Sequence, residues 1–405
     1  MTFRVAISGL NAAQTDLSVT ANNIANTSTA GFKGSRVQFA ELYSASSQGQ
    51  SGASTGSGVK VAGISQQFAQ GAIDFTDNGL DLAISGKGFF VLSDSNGRAY
   101  SRAGSFQVDR DGFVVNPAGQ RLQVFPPLTG GGFNTGATAD LRLAGGESAP
   151  AATTKVDMTL NLPGNANPPA KSPFDPADPD TYSYSTAMTV YDSLGAAHTA
   201  TVYFSKSTDA NAWEQRLYID GDAVGTAQTL EYSNTGALVA PADGEVTFPG
   251  YAPATGAAPI TLTYGFGAST QYGTAFSVSA ISQDGYTTGR LIGVETEVDG
   301  TVQARFTNGR SVALGKIALA QFASVDGLQP LADTAWAETF ASGPALLGEA
   351  GSTGSGAIQS GALESSNVDV TEQLVNMITA QRNFQANAKM ISTADAIAQT
   401  IINIR

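Results

Sequence analysis

The sequence predicts a mixed, mainly β chain with long terminal α-helices, assembled as a discontinuous multi-domain protein, and three patterns carry that prediction. Near both termini, apolar residues recur at alternating steps of four and three, the spacing of a coiled-coil seam. Between the ends, short alternating or β-branched runs are punctuated by Asn-Gly and Asp-Gly pairs, the strongest short-range hairpin signal. A proline-rich, acidic stretch interrupts that pattern in mid-chain.

Residues 1–33 form the first half of a terminal helical domain. Phe3, Ile7, Leu10, Gln14, Leu17, Ala21 and Ile24 keep the seam spacing, and the only ionised side chains up to Lys33 are Arg4, Asp16 and Lys33 itself. Amphipathic helices facing water usually carry Lys and Glu on their outer face. Here that face holds Asn, Thr, Ser and Ala, including Asn22, Asn23 and Asn26, so the back of the helix is expected to be covered or to line a confined wet space. An antiparallel hairpin with the other end of the same chain is one arrangement. Because the seam is narrow, such a hairpin alone is marginal, and helices from further copies of the chain are the other arrangement.

Residues 34–70 read as a linker, since SRVQFAELYSASSQGQSGASTGSG is dominated by Ser, Gly and Gln. β signals take over from Val59. Asn96-Gly97, Asp111-Gly112, Asp299-Gly300 and Asn308-Gly309 each sit between strand-like runs, and FQVDRDGFVVN with SGKGFFVLSDSNGRAYSR reads as a compact meander. These runs predict one β domain split into 71–144 and 287–363.

Residues 145–286 read as a second β domain inserted into the first. The insert holds the loop LPGNANPPAKSPFDPADPD, whose prolines exclude central strands, and turns at Asp220-Gly221 and Thr235-Gly236. It carries fourteen Asp and Glu against four Lys and Arg, most of the chain's net charge of −13, so it is expected to face water. Where the chain enters and leaves the insert, Gly145 and Gly146, and Asp284 and Gly285, are candidate hinges.

The chain closes with the second half of the helical domain, 364–405. Leu374, Met377, Gln381, Phe384, Ala388, Ile391, Asp395, Ala398 and Ile402 keep the seam spacing, and Asp369 with Glu372 has the spacing of an N-cap and its N3 partner. The helix spans about 35 residues and roughly 50 Å. The assembly seam expected from both ends is Phe3, Ile7, Leu10, Leu17, Ile24, Leu374, Met377, Phe384, Ile391 and Ile402.

No chemistry emerges from the remaining residues, and the chain is read as a non-enzyme with no catalytic, cofactor or metal site. His198 is the only histidine, in a strand without a nucleophile pattern, and is expected to face solvent. With no cysteine and one histidine, zinc ligands are lacking. Gly86-Lys87-Gly88 fails the phosphate-loop spacing and reads as a tight turn, and Asp109, Asp111 and Gly112 read as a hairpin turn rather than a calcium loop. The acidic balance argues against nucleic acid, no apolar run approaches a membrane span, and the N-terminus lacks the apolar run and cleavage site of a Sec signal.

Two long stretches carry a family resemblance. SGLNAAQTDLSVTANNIANTSTAGFK and SGALESSNVDVTEQLVNMITAQRNFQANAKMISTADAIAQTIINIR resemble the N- and C-terminal signatures of the bacterial flagellar axial proteins, the rod, hook and hook-associated family. QGAIDFTDNGLDLAISGKGFFVL resembles the block that follows the linker in that family. VYDSLGAAHTATVYF and the run from Ser269 to Gly343 are similar to its hook-type members, whereas the shorter rod-type members lack the acidic insert.

The resemblance implies a structural subunit that polymerises into the curved tubular flagellar hook, a flexible universal joint coupling rod to filament. It places the terminal helices in an inner tube around an export channel, the split β domain in a middle layer and the acidic insert outside. Implied partners are further copies of the chain, rod and hook–filament junction proteins, the hook cap and the flagellar export apparatus, with no membrane insertion. Implied location is extracellular, at the hook, after export without a cleaved signal peptide. A distal rod-type axial protein, or a secreted β-rich adhesin or carbohydrate-binding protein, are the alternatives.

Overall fold

The computed structural model describes residues 2–42, 56–94, 97–143 and 146–403. It divides into two units, the first comprising Met1–Gly145, Gly293–Arg305 and Ser311–Arg405 and the second Gly146–Ile292 and Phe306–Arg310.

The first unit is built on strands whose apolar runs are buried on both faces. In Phe89–Asp94, Phe89 and Val91 join one core with Tyr100, Phe125 and Trp336, while Phe90 and Leu92 join another with Leu122, Val124, Ile317 and Leu319. Successive side chains of a strand point to opposite faces, so a continuous run such as Phe-Phe-Val-Leu marks a strand covered on both sides. The long strand Ser311–Gln321 pairs with Thr301–Phe306, Arg121–Phe125, Phe89–Asp94 and Leu346–Glu349. Two short pairs close the split domain: Leu82–Ser85 on Ala357–Ser360, and Ile73–Phe75 on Ala362–Glu364. The two halves, distant in sequence, thus share hydrogen bonds just before the C-terminal helix begins.

The second unit is a sandwich of two sheets. One orders Glu245–Tyr251, Ile260–Gly265, Lys155–Asn161 and Ser277–Gln283; the other orders Tyr184–Tyr191, Ala197–Lys206, Ala212–Ile219, Asp222–Tyr232 and Leu238–Ala240. Inward residues of both sheets, among them Phe204, Trp213, Leu217, Phe248, Leu262 and Tyr264, make one core. The proline-rich loop contains only the 3-10 turn Pro179–Thr181 and lies over aromatic side chains, Phe174 packing against Tyr182, Tyr203 and Tyr218. Asp220-Gly221 makes the expected hairpin, both residues at positive φ (51° and 94°) between strands Ala212–Ile219 and Asp222–Tyr232. Asp109 accepts from the Asp111 and Phe113 amides, which fixes the Asp111-Gly112 hairpin turn. Asn96 lies outside the described residues.

Three sequence expectations need correction. The segment read as a linker contains two antiparallel strands, β1 (Ser35–Glu41) and β2 (Val59–Gln66), with Val37 opposite Ile64 and Phe39 opposite Val61. Tertiary contact overrides the weak local signal: the ribbon packs along the N-terminal helix, and Val37 is buried. The second unit holds the residues up to Ile292, together with Phe306–Arg310, so its contacts run a few residues past the expected boundary at 286. Asp284 and Gly285 lie well inside it: the Asp284 carboxylate accepts from the Thr154 and Lys155 amides (2.8 and 3.0 Å) and the Thr154 hydroxyl, and the Gly285 amide donates to Gln283. Gly146 does sit at the unit boundary, with nothing within 4 Å of the place a Cβ would take; Gly145 lies outside the described residues.

The third correction is His198, which is buried rather than solvent-facing. Its Nδ1 lies 2.6 Å from Asp220 and its Nε2 3.3 Å from the buried Asp192, which also accepts from Thr255 and from the Leu194 and Ala196 amides. Burial opposes charge on the imidazole, but the hydrogen bonds to Asp220 and Asp192 outweigh it and raise the pKa above its ordinary 6.5. A raised histidine pKa gives stability that is fully present below the unfolded value and lost as pH rises through the folded one. The melting temperature of the second unit should therefore fall as pH rises from the ordinary histidine value through the raised folded one, and H198Q should flatten that slope. Calorimetry across a pH series checks this; an equal slope in the variant would remove His198 as its source.

Candidate functional site

Both terminal segments are helices, α1 (Thr2–Ala25) and α2 (Val370–Asn403), and they pack on each other antiparallel within the first unit. The Asn23 side chain donates to Gln373 at 3.2 Å, and Gly9 faces Asn387 closely enough that a Cβ would sit 2.6 Å from its side chain. Those two contacts fix the antiparallel register and leave the last residues of α2 beyond the start of α1. Asp369 caps α2 as expected, its carboxylate accepting from the Thr371 and Glu372 amides at 2.7 and 3.1 Å.

The stripe of α1 that meets α2 differs from the apolar seam. Ala6, Ala13, Thr20 and Asn23 are buried, and with Gly9 they form a stripe of small and polar residues that lets the helix backbones approach closely. Phe3 and Ile7 are 48% and 38% exposed, and Leu10, Leu17 and Ile24 are half-buried on the neighbouring stripe, one residue or about 100° around the helix. On α2, Met377, Phe384 and Ile391 are half-buried on the stripe that also holds Gln373, Ala380 and Asn387. Leu374 and Ile402 are 47% and 71% exposed. Of the ten seam residues, three on α2 lie in the intrachain contact, while most of the rest keep open surface.

Where the helices join the β domain, a compact polar junction ties four parts of the chain together. Lys33 and Glu364, neither with any exposed side-chain surface, form an ion pair at 2.5 Å. The second oxygen of Glu364 lies 3.3 Å from Arg102, and its first also accepts from the Gly71 amide. Arg102 further donates to the carbonyls of Ile84 and Gly86 and lies 5.6 Å from the Phe89 ring centre; Lys33 donates to the Ala69 carbonyl. Burial lowers the pKa of both cations, and Glu364 acts against that shift on each. Beside them, Asn367 accepts from the Gly34 amide and donates to the carbonyls of Gln67 and Ala69. Gly31, at φ 70°, gives its amide to the Glu364 carbonyl where a side chain would overlap the Ala103 backbone.

The sequence reading missed this junction. Lys33 and Glu364 are 331 positions apart and Arg102 and Glu364 262, so no spacing connects them. The one available signal was Lys33 itself, an isolated charge closing a stretch with almost none.

The architecture, terminal helices clasped at a split β domain that carries an inserted sandwich, agrees with four family models. They are flagella basal body rod protein over residues 3–33, flagellar hook protein FlgE/F/G D1 domain over 83–165, flagellar basal body protein FlaE D2 domain over 161–286, and flagellar basal body rod FlgEFG protein C-terminal over 359–404. Together they define the class, a flagellar axial protein. Among full-length relatives, the flagellar hook protein FlgE of Salmonella typhimurium is 41% identical over 417 residues, covering 100% of both chains, and that of Escherichia coli K12 is 41% identical over 415 residues with the same coverage. The FlgE of Borreliella burgdorferi is 35% identical over 436 residues, covering 98% of each. The chain belongs to the flagellar hook protein FlgE family. At the level of fold alone, the crystal structure of Helicobacter pylori flagellar hook protein FlgE2 superposes with a TM-score of 0.55 at 16% identity, covering 72% of this chain and 100% of that one. Full-length agreement with hook proteins does not favour the rod-type or adhesin alternatives.

Proposed function

We propose that the chain is a non-enzymatic building block whose copies polymerise into the curved hook tube through their paired terminal helices. The observation that carries this reading is the open apolar surface of the helix pair: α1 meets α2 through its stripe of small and polar residues, and Phe3, Ile7, Leu374 and Ile402 keep 38% to 71% of their surface exposed. Subunits related by a rotation and a rise that do not close form a helical tube, and such open stripes suit its contacts. The helices then line the inner wall, the split β domain lies around them and the acidic insert faces outward. Rod and hook–filament junction proteins, the hook cap and the export apparatus are the further partners, and the chain reaches the cell exterior through that apparatus.

The free subunit tests this reading by proteolysis. The terminal helices, with the ribbon β1–β2, are expected to be trimmed, leaving a core from about residue 71 to about residue 366. That C-terminal limit follows from strands Ala357–Ser360 and Ala362–Glu364, which belong to the β domain. The core should fail to polymerise. A free subunit resistant at both ends, or a trimmed core that still forms tubes, contradicts the reading.

Bending requires the two units to move against each other as the tube turns. The hinge is assigned to the crossing at Gly145–Gly146, where Gly146 has nothing within 4 Å of a side-chain position; the other crossings fall inside strand Gly289–Thr296 and on both sides of Phe306–Arg310. Asp284 and Gly285, bonded to neighbours in their own unit, are not part of it. Subunits compared around one curved hook should differ in the angle between the units, and an angle constant within coordinate error removes the hinge.

A further inference from the structure

We infer that Glu364 makes docking of the N-terminal segment conditional on docking of the C-terminal one. The argument is one of charge in a buried place. The junction holds two cations, Lys33 and Arg102, and a single anion, Glu364, with side-chain exposures of 0%, 6% and 0%. A buried charge whose partner is removed is strongly destabilising, whereas a paired one is tolerated.

The three groups do not depend on each other equally. Arg102 belongs to the β domain and is held by the carbonyls of Ile84 and Gly86 and by the Phe89 ring even without the carboxylate. Glu364 ends a strand paired to Ile73–Phe75, and without Lys33 it keeps Arg102 and the Gly71 amide. Lys33 has only the Ala69 carbonyl once Glu364 is gone, and it would then be buried beside a like charge. The C-terminal strand can therefore dock before α1, but α1 cannot bury Lys33 until the carboxylate is in place. Gly31 and Asn367 follow the same order, since the Gly31 amide bonds to the Glu364 carbonyl and the Gly34 amide to Asn367. A subunit with only its N-terminal part in position thus holds α1 free, and arrival of the C-terminal segment releases it to dock.

The experiment is hydrogen exchange read by mass spectrometry on the full chain, at concentrations where α1 of the parent protein is protected, for E364Q, K33M and the double variant. E364Q keeps the shape and removes the charge: protection of residues 2–34 should fall at least about 100-fold. K33M should leave residues 357–364 within about threefold of the parent, because Glu364 retains Arg102. The double variant, with the unpaired ammonium gone, should recover at least about tenfold of the lost protection in α1. Should E364Q lose protection throughout the first unit, the double variant decides alone. Unchanged α1 protection in E364Q, no recovery in the double variant, exposure of 357–364 by K33M as complete as by E364Q, or an α1 unprotected in the parent at every concentration would each overturn the inference.

Discussion

Leu17→Asp abolishes polymerisation and leaves both β units as stable as before; this is the largest effect expected of any single change. Leu17 lies on the outward apolar stripe of α1 and is half-buried in the subunit, so an aspartate there can still reach water while the subunit is free. Once copies pack against that stripe the carboxylate loses its water and finds no cation, which costs several kcal/mol. Repeated at every subunit, that cost should raise the concentration needed for assembly at least about 100-fold. Sedimentation across a concentration series reads the assembly, and thermal melting reads the units. Ile391→Asp provides the contrast, because Ile391 lies on the stripe of α2 that meets α1 and its replacement should loosen the helix pair as well as the polymer. Loss of melting temperature with assembly intact in Leu17→Asp would place α1 in the globular core instead.

Trp213→Ala should lower the stability of the second unit by about 3–5 kcal/mol, the usual cost of deleting a buried tryptophan side chain. Trp213 has no exposed surface, and its indole N–H donates to Gln271 at 3.1 Å, which in turn donates to Asn211 at 2.9 Å. Its ring also lies 5.6 Å from the buried Lys206 ammonium, whose remaining partners are the carbonyls of Asp209 and Ala212. Truncation therefore opens a cavity, strands a glutamine and removes a cation–π contact together. For a unit of this size the loss corresponds to a fall of roughly 10 °C in its melting transition. Calorimetry should show that transition move while the first unit's stays. A common shift of both would mean that the two units unfold as one.

Much of the fold was legible because local chemistry and tertiary need agreed. The Asp369 cap and the turns at Asp220-Gly221 and Asp111-Gly112 each announce themselves within a dozen residues, and the structure places them as read. The strands at 35–41 and 59–66 were hidden because their composition is that of a linker and their order comes from α1 beside them. Heptad spacing identified the helices but not the face each turns to the other. Periodicity marks a stripe, and choosing between adjacent stripes depends on how closely two backbones can approach, which here selects Ala6, Gly9 and Ala13 over Phe3, Ile7 and Leu10. His198 was misplaced for a related reason: alternation along its strand was visible, but the carboxylates that let it be buried come from turns on either side. Lys33, Arg102 and Glu364 belong to three distant segments, and nothing short of the folded chain brings them together.

Electron microscopy of the purified full-length chain at rising concentration, alongside appendages sheared from cells, tests the central claim most directly. Curved tubes of uniform diameter in both samples are the predicted result. Dispersed globules at every concentration, with no such tube among the sheared appendages, would contradict it.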